Sequence, residues 1–186
     1  NSYDITTWLV EELRSNATSE VAQQLQEYYP APGAWVGWYN LVKGEGVWDY
    51  KPDILRAAPT GDIILAGEWY NYDVPANVNY GYVGRSIGFS WEALVGGAGV
   101  AQIQNNAIEP FFDILGQTGS PQQAWEAIRR ENIGPWECNF DPCVDLAAIT
   151  VGMKLYEQYG YDINEEQLRE ALDLYRGQLN PGVPQP

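Results

Sequence analysis

The sequence predicts an α+β fold, a mostly helical single domain with a small β-hairpin element in its middle. Three observations predict it. Apolar residues recur at helical spacing in the first and last thirds, and a central stretch rich in aromatic and β-branched residues is punctuated by Gly and Pro. The 186 residues, 45% hydrophobic and 19% charged, also suffice for one core without metals or dense disulfides; a chain of this length buries roughly 70% of its unfolded surface.

The elements follow in order. From Asp4 to Tyr29, Ile5, Leu9, Leu13, Ala17, Val21 and Leu25 recur every fourth residue, predicting one or two helices that the Pro30-Ala-Pro-Gly33 cluster stops. Ala34 to Leu41 is uncharged and reads as a short strand or a buried turn. A loop with Gly44 and Gly46 leads into Trp48-Asp49-Tyr50-Lys51-Pro52-Asp53. Ile63 to Tyr72 reads as a strand or an irregular extended piece, and Asn77 to Val83 as a second strand-like run. Pro75 between them favours an edge or a turn, so the hairpin is expected here. Phe89 to Ile103, with Gly96, Gly97 and Gly99, reads as a helix approach with close backbone packing. Pro121 opens a further helix, and Asp145 to Tyr159 is helical by its spacing. Asn164 caps a final helix whose acidic first turn, Glu165-Glu166, suits the helix dipole. The domain is expected to span residues 1–179, with 180–186 as the start of a Pro-rich linker.

Composition excludes several classes of function. Lys and Arg number 10 against 25 Asp and Glu, a formal net charge of -15, so no nucleic-acid partner is expected. Histidine is absent, which removes Ser-His-Asp and Cys-His nucleophiles and histidine-bound zinc. Acid–base chemistry then falls to carboxylates, Tyr or Lys, and no metal or cofactor is implied. Tyr (13) and Trp (8) outnumber Phe (4), which suits either a half-wet, sugar-binding surface or the margin of a small core. No apolar run approaches the ~18 residues of a membrane span, so no membrane partner is expected. Cys138 and Cys143, in Glu-Cys-Asn-Phe-Asp-Pro-Cys, have a spacing compatible with a local disulfide and an oxidising compartment. Asn16-Ala17-Thr18 is an N-glycosylation sequon. With no signal peptide before Asn1, a mature secreted, extracellular form is expected.

The candidate catalytic residues come from helix and strand faces. At 100° per residue Glu12 falls ~20° from Ile5, inside the apolar arc with Trp8 and Leu9, whereas Glu11 lies outside it. An apolar setting disfavours the charged form of a carboxyl, as a general acid requires. The alternative is a structural glutamate in an ion pair. Asn16 lies beside Glu12, one turn on. In an extended Trp48 to Asp53, Lys51 stands between Asp49 and Asp53, either holding Asp49 ionised or forming a surface ion-pair ladder. Asp73 is a third carboxylate, in a turn-like setting. In the strand-like run Tyr80 and Tyr82 share one face, and Gly81 and Gly84 permit close approach of a ligand or another backbone.

These segments carry a resemblance. Glu11-Glu12-Leu13, Asn16-Ala17, Trp38-Tyr39, Leu41-Val42-Lys43 and Trp48-Asp49-Tyr50-Lys51-Pro52 come first. Tyr72-Asp73-Val74, Asn77, Tyr80-Gly-Tyr-Val-Gly-Arg85 and Gly88-Phe89 follow, then Gly97-Ala98-Gly99, Asp141-Pro142, Asp145 and Ala148-Ile149. In this order they resemble the polymorphic toxin type 44 domain. Secreted fungal relatives with this layout resemble the muramidase (lysozyme) catalytic domains of glycoside hydrolase family 184, often joined by a linker to an SH3-like wall-binding module. The chain departs from the bacterial pattern at Asn79, where a His is common, and so lacks an imidazole there. The resemblance implies a monomeric hydrolase of the glycan of bacterial peptidoglycan, joined to a wall-binding module after its C-terminus. Glycoside hydrolysis needs an acid and a second carboxylate. The expected catalytic residues are Glu12 as acid and Asp49 or Asp73 as its partner. Asn16, Trp48, Lys51, Asn77, Tyr80, Tyr82 and Arg85 would line the cleft. The alternatives are a noncatalytic glycan-binding module and, disfavoured by charge and the missing histidine, a toxin-like nuclease.

Overall fold

The periodic first segment divides into α1 (Thr6–Ala17) and α2 (Glu20–Tyr28) in a computed structural model that describes residues 3–103, 108–131 and 143–179. Ser19 sets the break: its Oγ accepts the Ala22 N–H at 3.2 Å and caps α2. The chain continues through α3 (Pro32–Val42), α4 (Lys51–Ala57), β1 (Asp62–Leu65), β2 (Glu68–Asn71) and α5 (Asp73–Ile87). Next come α6 (Trp91–Ile103), α7 (Ile108–Thr118), α8 (Pro121–Glu131), α9 (Cys143–Tyr159), α10 (Glu165–Leu174) and α11 (Arg176–Leu179). The mostly helical α+β fold with one small hairpin is as the sequence predicts. Asn164 caps α10 in a capping box, accepting the Gln167 N–H at 3.0 Å while Gln167 Oε1 accepts the Asn164 N–H at 2.9 Å.

Two expectations are corrected. Ala34 to Leu41 is neither strand nor turn but the body of α3. Its Ala34, Trp35 and Trp38 are buried; Trp35 stacks on Phe89 with centroids 4.0 Å apart, and Trp38 and Tyr29 meet Phe89 edge-on. The hairpin lies wholly within the first strand-like run. β1 and β2 pair antiparallel from Asp62↔Asn71 to Leu65↔Glu68 across the two-residue turn Ala66-Gly67, whose φ values of 51° and 87° give the hairpin its twist. Asn77 to Val83 is therefore not a strand but the middle of α5. That helix buries Val74, Val78, Asn79, Tyr82, Val83 and Ile87, so it shows no amphipathic stripe. Pro75 sits in its first turn, where a missing N–H forfeits no helical bond.

The hairpin ties the start of α1 to the start of α5. Ile5 N–H donates to Ile64 O at 3.1 Å, Ile64 N–H to Tyr3 O at 2.8 Å, and Ala66 N–H to Thr6 Oγ1 at 2.8 Å. β2 then runs almost directly into Asp73, the first residue of α5. Helices α5 and α9 cross backbone to backbone. A Cβ added to Gly81 would lie 2.0 Å from Ile149 O, and one added to Gly152 would lie 2.0 Å from Val78 O. Gly81 packs near Ile149 and Arg85 pairs with Glu157, so the two helices run parallel and their N-terminal ends lie together. Cys138, Asp141-Pro142 and the 180–186 segment lie outside the described residues, and with them the Cys138–Cys143 disulfide and the linker.

Candidate active site

Glu12 sits on the inward side of α1, half-buried, while Glu11 is exposed, so the helix phase is as read. The Tyr50 hydroxyl donates to Glu12 Oε2 at 3.0 Å; Oε1 makes no hydrogen bond among the described residues. One turn on, Asn16 Nδ2 donates to the Tyr50 oxygen and to Asn79 Oδ1, the latter at 3.2 Å. Trp8 closes against the Tyr50 ring edge-on at 5.1 Å. Burial pushes the Tyr50 phenol well above its ordinary value; the Asn16 hydrogen bond opposes this and the negative Glu12 adds to it. Tyr50 is thus a neutral donor throughout the moderate pH range. Asn16 is only 8% exposed, and the nitrogen a glycan would occupy is engaged, which favours the cleft role over the sequon.

The next residue builds the second centre. Lys51 Nζ pairs with Asp73 Oδ1 at 3.0 Å. Burial works to lower the Lys51 value, but Asp73 first, then Asp145 and Asp49, more than offset it and hold the ammonium charged. Asp145, in the first turn of α9, is brought to this pair by the parallel packing of α9 on α5. Burial, and after it the neighbouring Asp73 charge, raise the Asp145 carboxyl, while Lys51 and Asn77 favour its ionised form. Asn77 approaches Asp145 without a hydrogen bond of ordinary geometry from its buried Nδ2.

The remaining expected residues lie elsewhere. Lys51 pairs directly with Asp73 rather than Asp49, whose oxygens accept the backbone N–H groups of Glu45 at 3.0 Å and Lys51 at 3.3 Å. Asp53 is exposed and pairs with Arg56. Trp48 is buried against Trp38, centroids 5.9 Å apart, and lines no cleft. Residues 80 and 82 point ~200° apart on a helix, so the shared tyrosine face does not exist. Tyr80 is half-buried and donates to Leu94 O at 2.9 Å. Tyr82 is fully buried and donates to Gly160 O at 2.7 Å. Arg85 lies ~18 Å along α5 from Asp73 and pairs with Glu157 at 3.1 Å, away from the Lys51–Asp73 pair. Sequence reasoning missed Tyr50, Asn79 and Asp145 as members of the site. Tyr50 stands inside the Trp-Asp-Tyr-Lys string, yet nothing local distinguishes it from a core tyrosine. Among the described residues no three His, Cys, Asp or Glu side chains are grouped to hold a metal ion.

The arrangement therefore places one carboxylate on a tyrosine and another on a lysine, and adjacent residues at the start of α4 supply both partners. Fold and site define a mostly helical α+β domain whose polar centre is built from acid–base groups. The chain belongs to the bacterial toxin 44 family, whose model matches residues 37–158. The matched span holds Tyr50, Lys51, Asp73, Asn77, Asn79 and Asp145, while Glu12 and Asn16 precede it. No curated protein and no solved structure matches the chain.

Proposed function

We propose that this protein is a muramidase, hydrolysing glycosidic bonds of bacterial peptidoglycan with carboxylates alone. The observation that carries the reading is Glu12: a half-buried carboxylate fixed through Oε2 by Tyr50, with Oε1 unpartnered among the described residues. Glu12 protonates the leaving oxygen as general acid, and Asp73, paired with Lys51 at 3.0 Å, stabilises or attacks the sugar centre or activates water. Asp73 takes this role in preference to Asp49, whose oxygens are held by backbone amides. The -15 charge opposes an anionic wall, so activity is expected at acidic pH, where many of the 25 carboxyls are neutral. A wall-binding module joined after the domain would add affinity by raising effective concentration. The enzyme would act outside the cell, as a monomer.

The test is a turbid suspension of bacterial cell walls. Clearing of the suspension with release of reducing sugar ends is the expected result. Binding to walls that stay intact would overturn the reading in favour of a noncatalytic glycan-binding module. Degradation of added RNA without clearing would overturn it in favour of a nuclease.

A further inference from the structure

We infer that Tyr50 is a positioning residue that directs the acid proton of Glu12 to one oxygen, Oε1. The argument is one of hydrogen-bond direction and rests on the reading of Glu12 as the general acid. The Asn16 amide nitrogen can only donate. Its two hydrogens are committed, one to the Tyr50 oxygen and the other to Asn79 Oδ1. The Tyr50 oxygen therefore accepts from Asn16, and its single hydrogen is left for Glu12 Oε2 at 3.0 Å. An oxygen that accepts this bond is the poorer place for a proton. When Glu12 takes one up, the proton lies on Oε1, which has no partner among the described residues and is free to meet a leaving oxygen.

The direction is anchored deep in the fold. Asn79 is 1% exposed on α5, the helix locked to α9 by the Gly81 and Gly152 crossing. Its Oδ1 accepts from Asn16 at 3.2 Å, while its Nδ2 is buried with no hydrogen-bond partner among the described residues. The phenol stays protonated because burial opposes its ionisation, so the relay does not reverse. Trp8 against the ring edge limits the swing of Tyr50. Asn79, Asn16, Tyr50 and Glu12 thus form one chain of donors and acceptors, drawn from three places in the sequence and ending at the acid.

Two variants and one spectrum test this. Tyr50→Phe keeps the ring and its Trp8 contact and removes only the hydroxyl. The fold should survive with a midpoint lowered by a few degrees as Asn16 loses an acceptor, while kcat on peptidoglycan fragments falls about 100-fold with KM unchanged, the loss expected of a misplaced catalytic group. Asn16→Asp replaces the donor by an acceptor, draws the Tyr50 hydrogen away from Glu12 and should lower kcat similarly. In the proton NMR spectrum of the native protein, Tyr50 should give a slowly exchanging hydroxyl resonance with a nuclear Overhauser effect to the Glu12 methylenes, lost in Glu12→Ala. Native kcat in Tyr50→Phe, or a Tyr50 hydroxyl proton exchanging too fast to observe, would overturn the inference. Should the native protein clear no walls, the muramidase reading fails by itself, and the hydroxyl resonance alone decides the relay.

Discussion

Replacing Gly81 by Ala probes the crossing that brings the site together. In an open helix the change would stabilise by about 0.8–1 kcal/mol, because Ala has the higher helix propensity. Here the added methyl would lie 2.0 Å from Ile149 O, against 3.4 Å for ordinary contact, so the axes must part by about 1.4 Å. The obstacle is backbone carbonyl, not the far end of a flexible side chain, so no rotamer change relieves it. Overpacking of this kind costs about 3 kcal/mol, at the upper end of its usual range, leaving a net loss of about 2 kcal/mol after the propensity gain. For a domain of this size that lowers the thermal midpoint by about 4–8 °C. Circular dichroism melts of Gly81→Ala and Gly152→Ala measure it, with Gly33→Ala as the control, since nothing lies within 4 Å of a Cβ there. Because the two crossing glycines relieve the same contact, the double variant should lose less than the sum of the singles. If Gly81→Ala melts with Gly33→Ala rather than well below it, the close crossing is refuted, and with it the mechanism that holds Asp145 near Asp73.

Glu12→Gln should keep the fold and abolish wall clearing while Glu11→Gln keeps most of it, since the two residues point ~100° apart on α1; the opposite outcome would show the acid lies on the other face. Asp145 sits above its unfolded value through burial, then through Asp73, so the folded state binds the extra proton and stability from this group falls as pH rises through that window. Asp145→Asn should therefore raise the thermal midpoint at about pH 7 and leave it unchanged at about pH 3, and equal changes at both would contradict that burial. Asn16 should be unmodified in protein secreted from a eukaryotic host, and Asn16→Ala should lower turnover. Full glycan occupancy by mass spectrometry with normal activity would move the active site off that helix face.

What was legible in the sequence follows from which elements face water. Helices α1 and α10 each bury one stripe, so periodicity located both, helped at α10 by its capping Asn164, and the α1 stripe revealed Glu12 as the inward carboxylate. Helices α3 and α5 carry large buried side chains around much of their surface, which erases the contrast on which a period depends. In α5 the small and aromatic residues of Tyr80-Gly-Tyr-Val-Gly-Arg85 then mimic a strand, and that reading put Tyr80 and Tyr82 on one face. The site partners were hidden for another reason. Tyr50 meets Glu12 across 38 residues of sequence and Asn16 meets Asn79 across 63, pairings that tertiary packing alone creates.

Both centres depend on one short piece of chain. Tyr50 and Lys51 open α4, and consecutive side chains at a helix start diverge by ~100°, so one reaches α1 and the other α5. Their aim is set by the turn before them. Trp48 N–H donates to Leu41 O at 2.9 Å, and Gly46 lies so close that a Cβ there would sit 2.4 Å from the same oxygen. Asp49 completes the turn by accepting from the amides of Glu45 and Lys51. It therefore supports the turn that carries both residues. On the proposed reading, losing its carboxylate would release Tyr50 and Lys51 together and lower activity through Glu12 and Asp73 at once. A fall in activity of Asp49→Ala is accordingly no evidence that Asp49 acts on substrate. Because the Asp49 carboxylate holds backbone amides of the turn, its loss should shift the melt together with the activity, whereas an isosteric amide at Glu12 or Asp73 should leave the fold standing.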